Sequence, residues 1–212
     1  MQLSAEIVEE IASQVTDGYY DRDAIIEGIL SSYADQLEIA TGTDGSFERG
    51  DVPPAAMAAL DAAIAAAFAA KAEAMRSWPA ETDCDRIRDV FRGLTERGWF
   101  TQENCGVTLQ QGAELAWDHA LDQEAATGAR PAGFCFFHQQ DVMSAVDGDG
   151  LLLCFGIFED GETSVDIERC RAAGEIVAAA CRDNGFDVAW DGTPDSRILL
   201  RGFRWQHRGP HA

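Results

Sequence analysis

Lysine is nearly absent from this chain. Of its 16 basic residues only Lys71 is a lysine, and they face 37 acidic residues for a formal charge of −21. Binding to DNA or RNA requires clustered cations that neutralise phosphates, and here the arginines are interleaved with carboxylates, so no nucleic-acid partner is expected. The same charge suits a decoy imitating nucleic acid, but acidic surfaces serve mostly solubility, and the lysine-poor, alanine-rich usage also fits base composition or a salty cytoplasm.

Other absences narrow the function further. The six cysteines (Cys84, Cys105, Cys135, Cys154, Cys170 and Cys181) include no C-x-x-C pair, and four sit inside apolar strand or helix patterns. They read as reduced packing residues. No apolar run approaches the roughly 18 residues of a membrane span, and the opening "MQLSAEIVEEIA" lacks the basic region and hydrophobic stretch of a signal peptide. A cytoplasmic protein without a membrane partner is expected. A Walker loop, a dinucleotide fingerprint and a nucleophile elbow are all missing, which leaves no cofactor to expect.

What is present is a hydrophobic fraction of 46% in 212 residues, enough for a substantial core. Ile7, Val8, Ile11 and Val15 share a helix face behind a Ser4 cap. A second helix is expected from Asp21 to Ala40, and "TGTDGSFERGD" breaks it. Pro53 and Pro54 open an alanine-rich helix, with Asp51 as its cap and an end near Trp78-Pro79. Thr82 and Asp85 form a capping-box start for a helix closed by Gly98. "WFTQENCGVTLQQG" has no clear period, whereas "AELAWDHALDQEAA" looks helical. Beyond Gly128, "GFCFFH", "LLLCFGIF", "FDVAW" and "RILLRGF" read as strands, with a helix from Val165 to Asn184 among them. The expectation is an α+β fold: a helical N-terminal half packed with a small mixed or antiparallel four-stranded sheet carrying one long helix. Its regions would be 1–79 and 80–208, or one continuous domain 1–208.

Three segments, "SWPAETDCDRIRDVF", "GFCFFHQQDVMSAVDGDGLLLCFG" and "GFDVAWDGTPDSRILL", together resemble a bacterial domain-of-unknown-function family common in actinobacteria. The family's "TDCDRL" helix start, "FYHxQDTE"-like strand end, "LYLxFG" strand and "WDGxxxxRI" turn correspond to Thr82–Ile87, Phe136–Asp141, Leu151–Gly156 and Trp190–Ile198. The resemblance covers nearly the whole chain and implies no known activity. Many members carry a cysteine-rich "NFxCCxxCG" segment, which by position falls on Asn104–Gly112; here only Cys105 remains, so no zinc or redox role is carried over.

Three groups hold polar residues able to do chemistry. His138, Gln140 and Asp141 stand at a strand end, where a histidine beside a carboxylate acts as acid, base or ligand, or else hydrogen-bonds and caps the next helix. Asp83, Asp85 and Arg86 fill a first helical turn, where capping and the helix dipole explain most of the pattern. Trp190, Asp191 and Arg197 flank a turn that offers a ligand platform, or that Arg197 simply staples to Asp191. Asp147 and Asp149 in "DGDG" lack calcium-loop spacing and read as a tight turn.

The leading expectation is a non-catalytic protein-binding or regulatory protein, of immunity or stress type, acting as monomer or homodimer on a basic protein partner. The alternative is a small hydrolase or metal-dependent enzyme centred on His138 and Asp141. It requires the imidazole to lie in a pocket beside a second carboxylate, such as Asp83 or Asp85.

Overall fold

A computed structural model of the chain describes residues 1–39, 47, 49–158 and 166–209. They form two compact units, the first built from Met1–Ala80 together with the chain from Gln206, the second from Glu81–Trp205.

The first unit is helical. In α1 (Ala5–Asp17) Ser4 accepts a hydrogen bond from the Ile7 amide, and Gly18 ends the helix at φ 83°. Ile7, Ile11 and Val15 meet Ile25, Ile26, Ile29 and Leu30 of α2 (Arg22–Ser32) and Leu60, Ile64 and Phe68 of α3 (Pro54–Met75) in one core. α2 stops eight residues before Ala40, which itself lies outside the described residues, as does most of the "TGTDGSFERGD" breaker. Leu37 and Ile39 are still buried, because the chain continues as turns in which Glu38 takes φ 57°. α3 also departs from expectation at both ends: Pro53 occupies the cap position with no side-chain bond, and the helix is over at Met75. By length and composition α3 is long and apolar enough to cross a membrane, contrary to the reading of the sequence. Its apolarity is largely alanine, and although 28% of its apolar window is buried, Leu60, Ile64 and Phe68 pack in one core with α1 and α2.

The segment from Gln206, expected with the sheet, belongs to this unit. Lys71 Nζ donates to the carbonyls of Val15 at 2.7 Å and Gly209 at 3.3 Å, the Tyr19 and His207 rings lie 4.5 Å apart, and Arg208 donates to the Pro79 carbonyl. Asp17 is 2% exposed there. Burial, with Glu10 adding and Lys71 opposing, pushes its carboxyl from 3.8 up to about 6. The folded state thus holds this proton more tightly than the unfolded state, so the contribution to stability is full below 3.8 and lost as pH rises through about 6. Asp17→Asn is expected to melt higher than wild type at pH 7 and to lose that advantage by pH 4, with a difference of at most about 3 kcal/mol; thermal melts across this range check it.

The second unit is a five-stranded sheet in the order β1-β2-β3-β5-β4, with β1 (Phe100–Gln102), β2 (Phe134–Phe136), β3 (Leu151–Gly156), β4 (Asp187–Ala189) and β5 (Ile198–Arg201). β1 pairs parallel to β2, and every other pairing is antiparallel, so the sheet is mixed and has one strand more than expected. Three residues are too few to display alternation, which is why β1 is hidden in the sequence.

Helices cover both faces. Thr82 and the α4 (Asp83–Thr95) side chain of Asp85 make a reciprocal capping box at 3.2 and 2.9 Å, and Thr101 on β1 donates to the Phe91 carbonyl of α4. Thr101 pairs with Cys135, which lies near Cys181 of α7 (Ile167–Asp183), so α4 and α7 share a face. Val165, the expected start of α7, lies outside the described residues. Phe136 alternates to the opposite face, where Gly112 of α5 (Leu109–Thr127) rests on its ring. α6 (Gln139–Val146) packs along β3.

One close helix approach is at Gly174 of α7. A Cβ there would stand 2.5 Å from two carbons of Trp190 and 2.7 Å from Phe155. Gly174→Ala is therefore expected to destabilise by about 1–3 kcal/mol through overpacking, although the same change on an open helix stabilises by about 1 kcal/mol. Urea denaturation measures which sign holds.

Candidate functional site

Side-chain alternation fixes where Arg197 can go. Ile198 pairs with Leu153 and is fully buried, so Arg197, one residue earlier, is directed to the sheet face that carries α5 and α6. There its Nη1 donates to Asp141 Oδ1 at 2.7 Å and lies 3.3 Å from His138 Nε2. The second carboxylate oxygen accepts from the His138 backbone amide at 3.1 Å, closing the first turn of α6, and stands 3.2 Å from His138 Nε2. Asp141 is 2% exposed and His138 3%. The end of β2, the start of α6 and the turn before β5 therefore converge on one buried carboxylate.

The electrostatics follow from burial. Loss of water lowers the basicity of His138 below its usual 6.5; the Asp141 carboxylate opposes this and the Arg197 cation adds to it. His138 Nε2 lies between Asp141 Oδ2 at 3.2 Å and Arg197 Nη1 at 3.3 Å, and Nδ1 is buried without a hydrogen-bond partner. A neutral histidine with an open nitrogen has the makings of a base. That nitrogen, however, is closed to solvent.

A cavity of about 200 Å³ lies on the same face. Phe134, Phe136 and Cys154 line it from the sheet, Leu109 and Ala113 from α5, and Asp195 and Arg197 from the turn before β5; His138 and Asp141 are not part of its lining. Arg197 is thus the one residue common to the buried cluster and the cavity. Burial pushes the Cys154 thiol up to about 11 despite the nearby Arg197, and desolvation raises Cys105 to about 11 and Cys181 to about 12, so these thiols are packing groups and not nucleophiles at neutral pH. None of the six cysteines is in a disulfide.

The remaining residues expected to act are placed elsewhere. Asp83 binds Arg86 at 2.6 Å and accepts from the Arg204 amide at 2.8 Å, while Asp85 caps α4; neither is a partner of His138. Gln140 is exposed on α6. Trp190 is half-buried, packs on Phe155 and Gly174 and donates to the Thr193 carbonyl. Asp191 accepts from Thr193 and Ser196, and Arg197 turns to Asp141 instead of stapling Asp191. Among the described residues no group of three or more His, Cys, Asp or Glu is placed to hold a metal ion. Sequence reading did not single out Asp195, Phe134, Phe136, Leu109 or Ala113 as lining a site, and no local motif marks them.

These elements define an α+β protein with a helical unit and a mixed-sheet unit. The chain belongs to a family described as a domain of unknown function (DUF6891), whose model matches residues 1–209. No curated protein and no solved structure matches it.

Truncating Arg197 would leave the Asp141 carboxylate buried and unpaired. Arg197→Ala is expected to destabilise by about 3–5 kcal/mol, and Asp141→Asn in the same chain to recover part of that loss. A double-mutant cycle by urea denaturation should return a coupling above about 1 kcal/mol.

Proposed function

We propose that the protein is a non-catalytic binding or regulatory protein of the cytoplasm, of immunity or stress type, which engages a basic protein partner as a monomer or homodimer. The observation that carries this reading is the internal satisfaction of its acid–base group. Both Asp141 oxygens are bonded to His138 and Arg197, and the imidazole is shut away from the cavity beside it. A catalytic base must reach a substrate proton through a hydrogen bond or one water. The charge of −21 supports a basic partner, since a field of that sign accelerates its approach and repels acidic competitors.

The partnerless Nδ1 of His138 favours a second reading, a hydrolase or metal-dependent enzyme centred on His138 and Asp141 that opens to admit its substrate. One experiment weighs both. Purified protein is used to capture partners from its native lysate at low and high salt, and its hydrolysis of ester and phosphoester panels is measured beside His138→Asn. A basic protein retained at low salt and released at high salt is expected, with no His138-dependent turnover. Turnover lost in His138→Asn, or no salt-sensitive partner, would overturn the binding reading.

A further inference from the structure

We propose that the cavity beside Arg197 is a binding site for the carboxylate of a small apolar or aromatic acid, and that an α-amino acid is the form it holds best. The cavity belongs to the second unit alone, and the proposal does not depend on the protein partner inferred above.

The guanidinium is half used. Nη1 donates to Asp141 and lies 3.3 Å from His138 Nε2, the Cys154 thiol shares a side-chain hydrogen bond with the guanidinium, and Nε and Nη2 make no hydrogen bond to a nitrogen or oxygen of any described residue. The Arg197 side chain is 31% exposed, against 2% for Asp141. A carboxylate binds arginine in a fork, and the Nε–Nη2 edge is the fork that remains. Because Asp141 already holds the other end, the guanidinium loses little freedom when a ligand arrives. Buried Asp141 thereby acts as a positioning residue.

The rest of the cavity selects what the carboxylate is attached to. Its floor is the apolar face of β2 and β3, with Phe134, Phe136 and Cys154, and its wall is Leu109 and Ala113. A volume of about 200 Å³ far exceeds one water and falls below the roughly 300–1,000 Å³ of sites for larger ligands. That space suits one ring or one branched chain. The charge of the whole molecule disfavours multiply charged anions such as phosphate esters, and it opposes a zwitterion least. Asp195 lines the same cavity, is exposed, and makes no hydrogen bond to a described residue, which leaves it able to receive an ammonium group.

The test is calorimetric titration of wild type, Arg197→Lys and Ala113→Trp with three probes: 3-phenylpropionate, L-phenylalanine and 3-phenylpropanamide. Arg197→Lys keeps a cation for Asp141 but loses the fork. Ala113 lies exposed on α5, so tryptophan there fills the cavity without entering the core. Saturable binding of the two acids is expected in wild type, at least about tenfold weaker for the amide and for Arg197→Lys, and lost in Ala113→Trp with its melt retained. An amide that binds as tightly as the acid, binding unchanged in both variants, or no saturable binding of either acid at millimolar concentration overturns the site. Tighter binding of L-phenylalanine than of 3-phenylpropionate supports the amino-acid form, and the reverse order overturns that part. A basic partner captured by a chain that binds neither acid would sink this site and leave the proposed function standing.

Discussion

The second unit depends on how one buried carboxylate is satisfied. The Asp141 carboxylate at 2% exposure is tolerable because two donors, the His138 amide and the Arg197 guanidinium, bond it and the His138 ring lies 3.2 Å away. Each comes with a structural commitment. The amide bond fixes the first turn of α6 directly after β2, and the ring sets the end of β2 against that turn. The guanidinium draws the segment before β5 toward α6, across the sheet face. Removing the carboxylate would release all three constraints together, so this polar group specifies the geometry around it.

That constraint also shapes the cavity. The turn of Asp191–Ser196 is held by its own hydrogen bonds, with Asp191 accepting from Thr193 and Ser196. It therefore does not need Arg197, which is free to reach toward Asp141. On the other wall, α5 approaches the sheet through Gly112, Ala116 and Ala120, its only buried residues. Small residues bring the helix close but fill little space beneath its N-terminal turn. A cavity between a closely seated helix and a self-sufficient turn is the geometric result, with Arg197 in its lining.

Much of the fold was legible from local chemistry. The helices were marked by the spacing of Ile7, Ile11 and Val15 and by the Ser4 and Thr82 caps, which hold in the structure, whereas Val8, expected on the same face, is 46% exposed. Legibility failed where a boundary depended on tertiary contacts. α2 ends early because Leu37 and Ile39 reach the core through turns, and Glu38 adopts a left-handed conformation that no composition rule anticipates. β1 consists of three residues whose strand character comes entirely from pairing with β2.

The site divides along the same line. His138 and Asp141 stand three residues apart at a strand end, so local sequence suffices to pair them. Arg197 joins them from 56 residues away, and sequence proximity favoured Asp191 as its partner instead. What decided between the two carboxylates was burial. Asp191 is exposed and already bonded by neighbouring hydroxyl and amide groups, whereas Asp141 is enclosed and would be left with an uncompensated charge. A cation gains more from the desolvated partner than from the hydrated one, because water screens the exposed pair. That preference belongs to the folded environment and not to any motif, which is why the sequence grouped the arginine with Trp190 and Asp191 and not with the histidine and aspartate it joins.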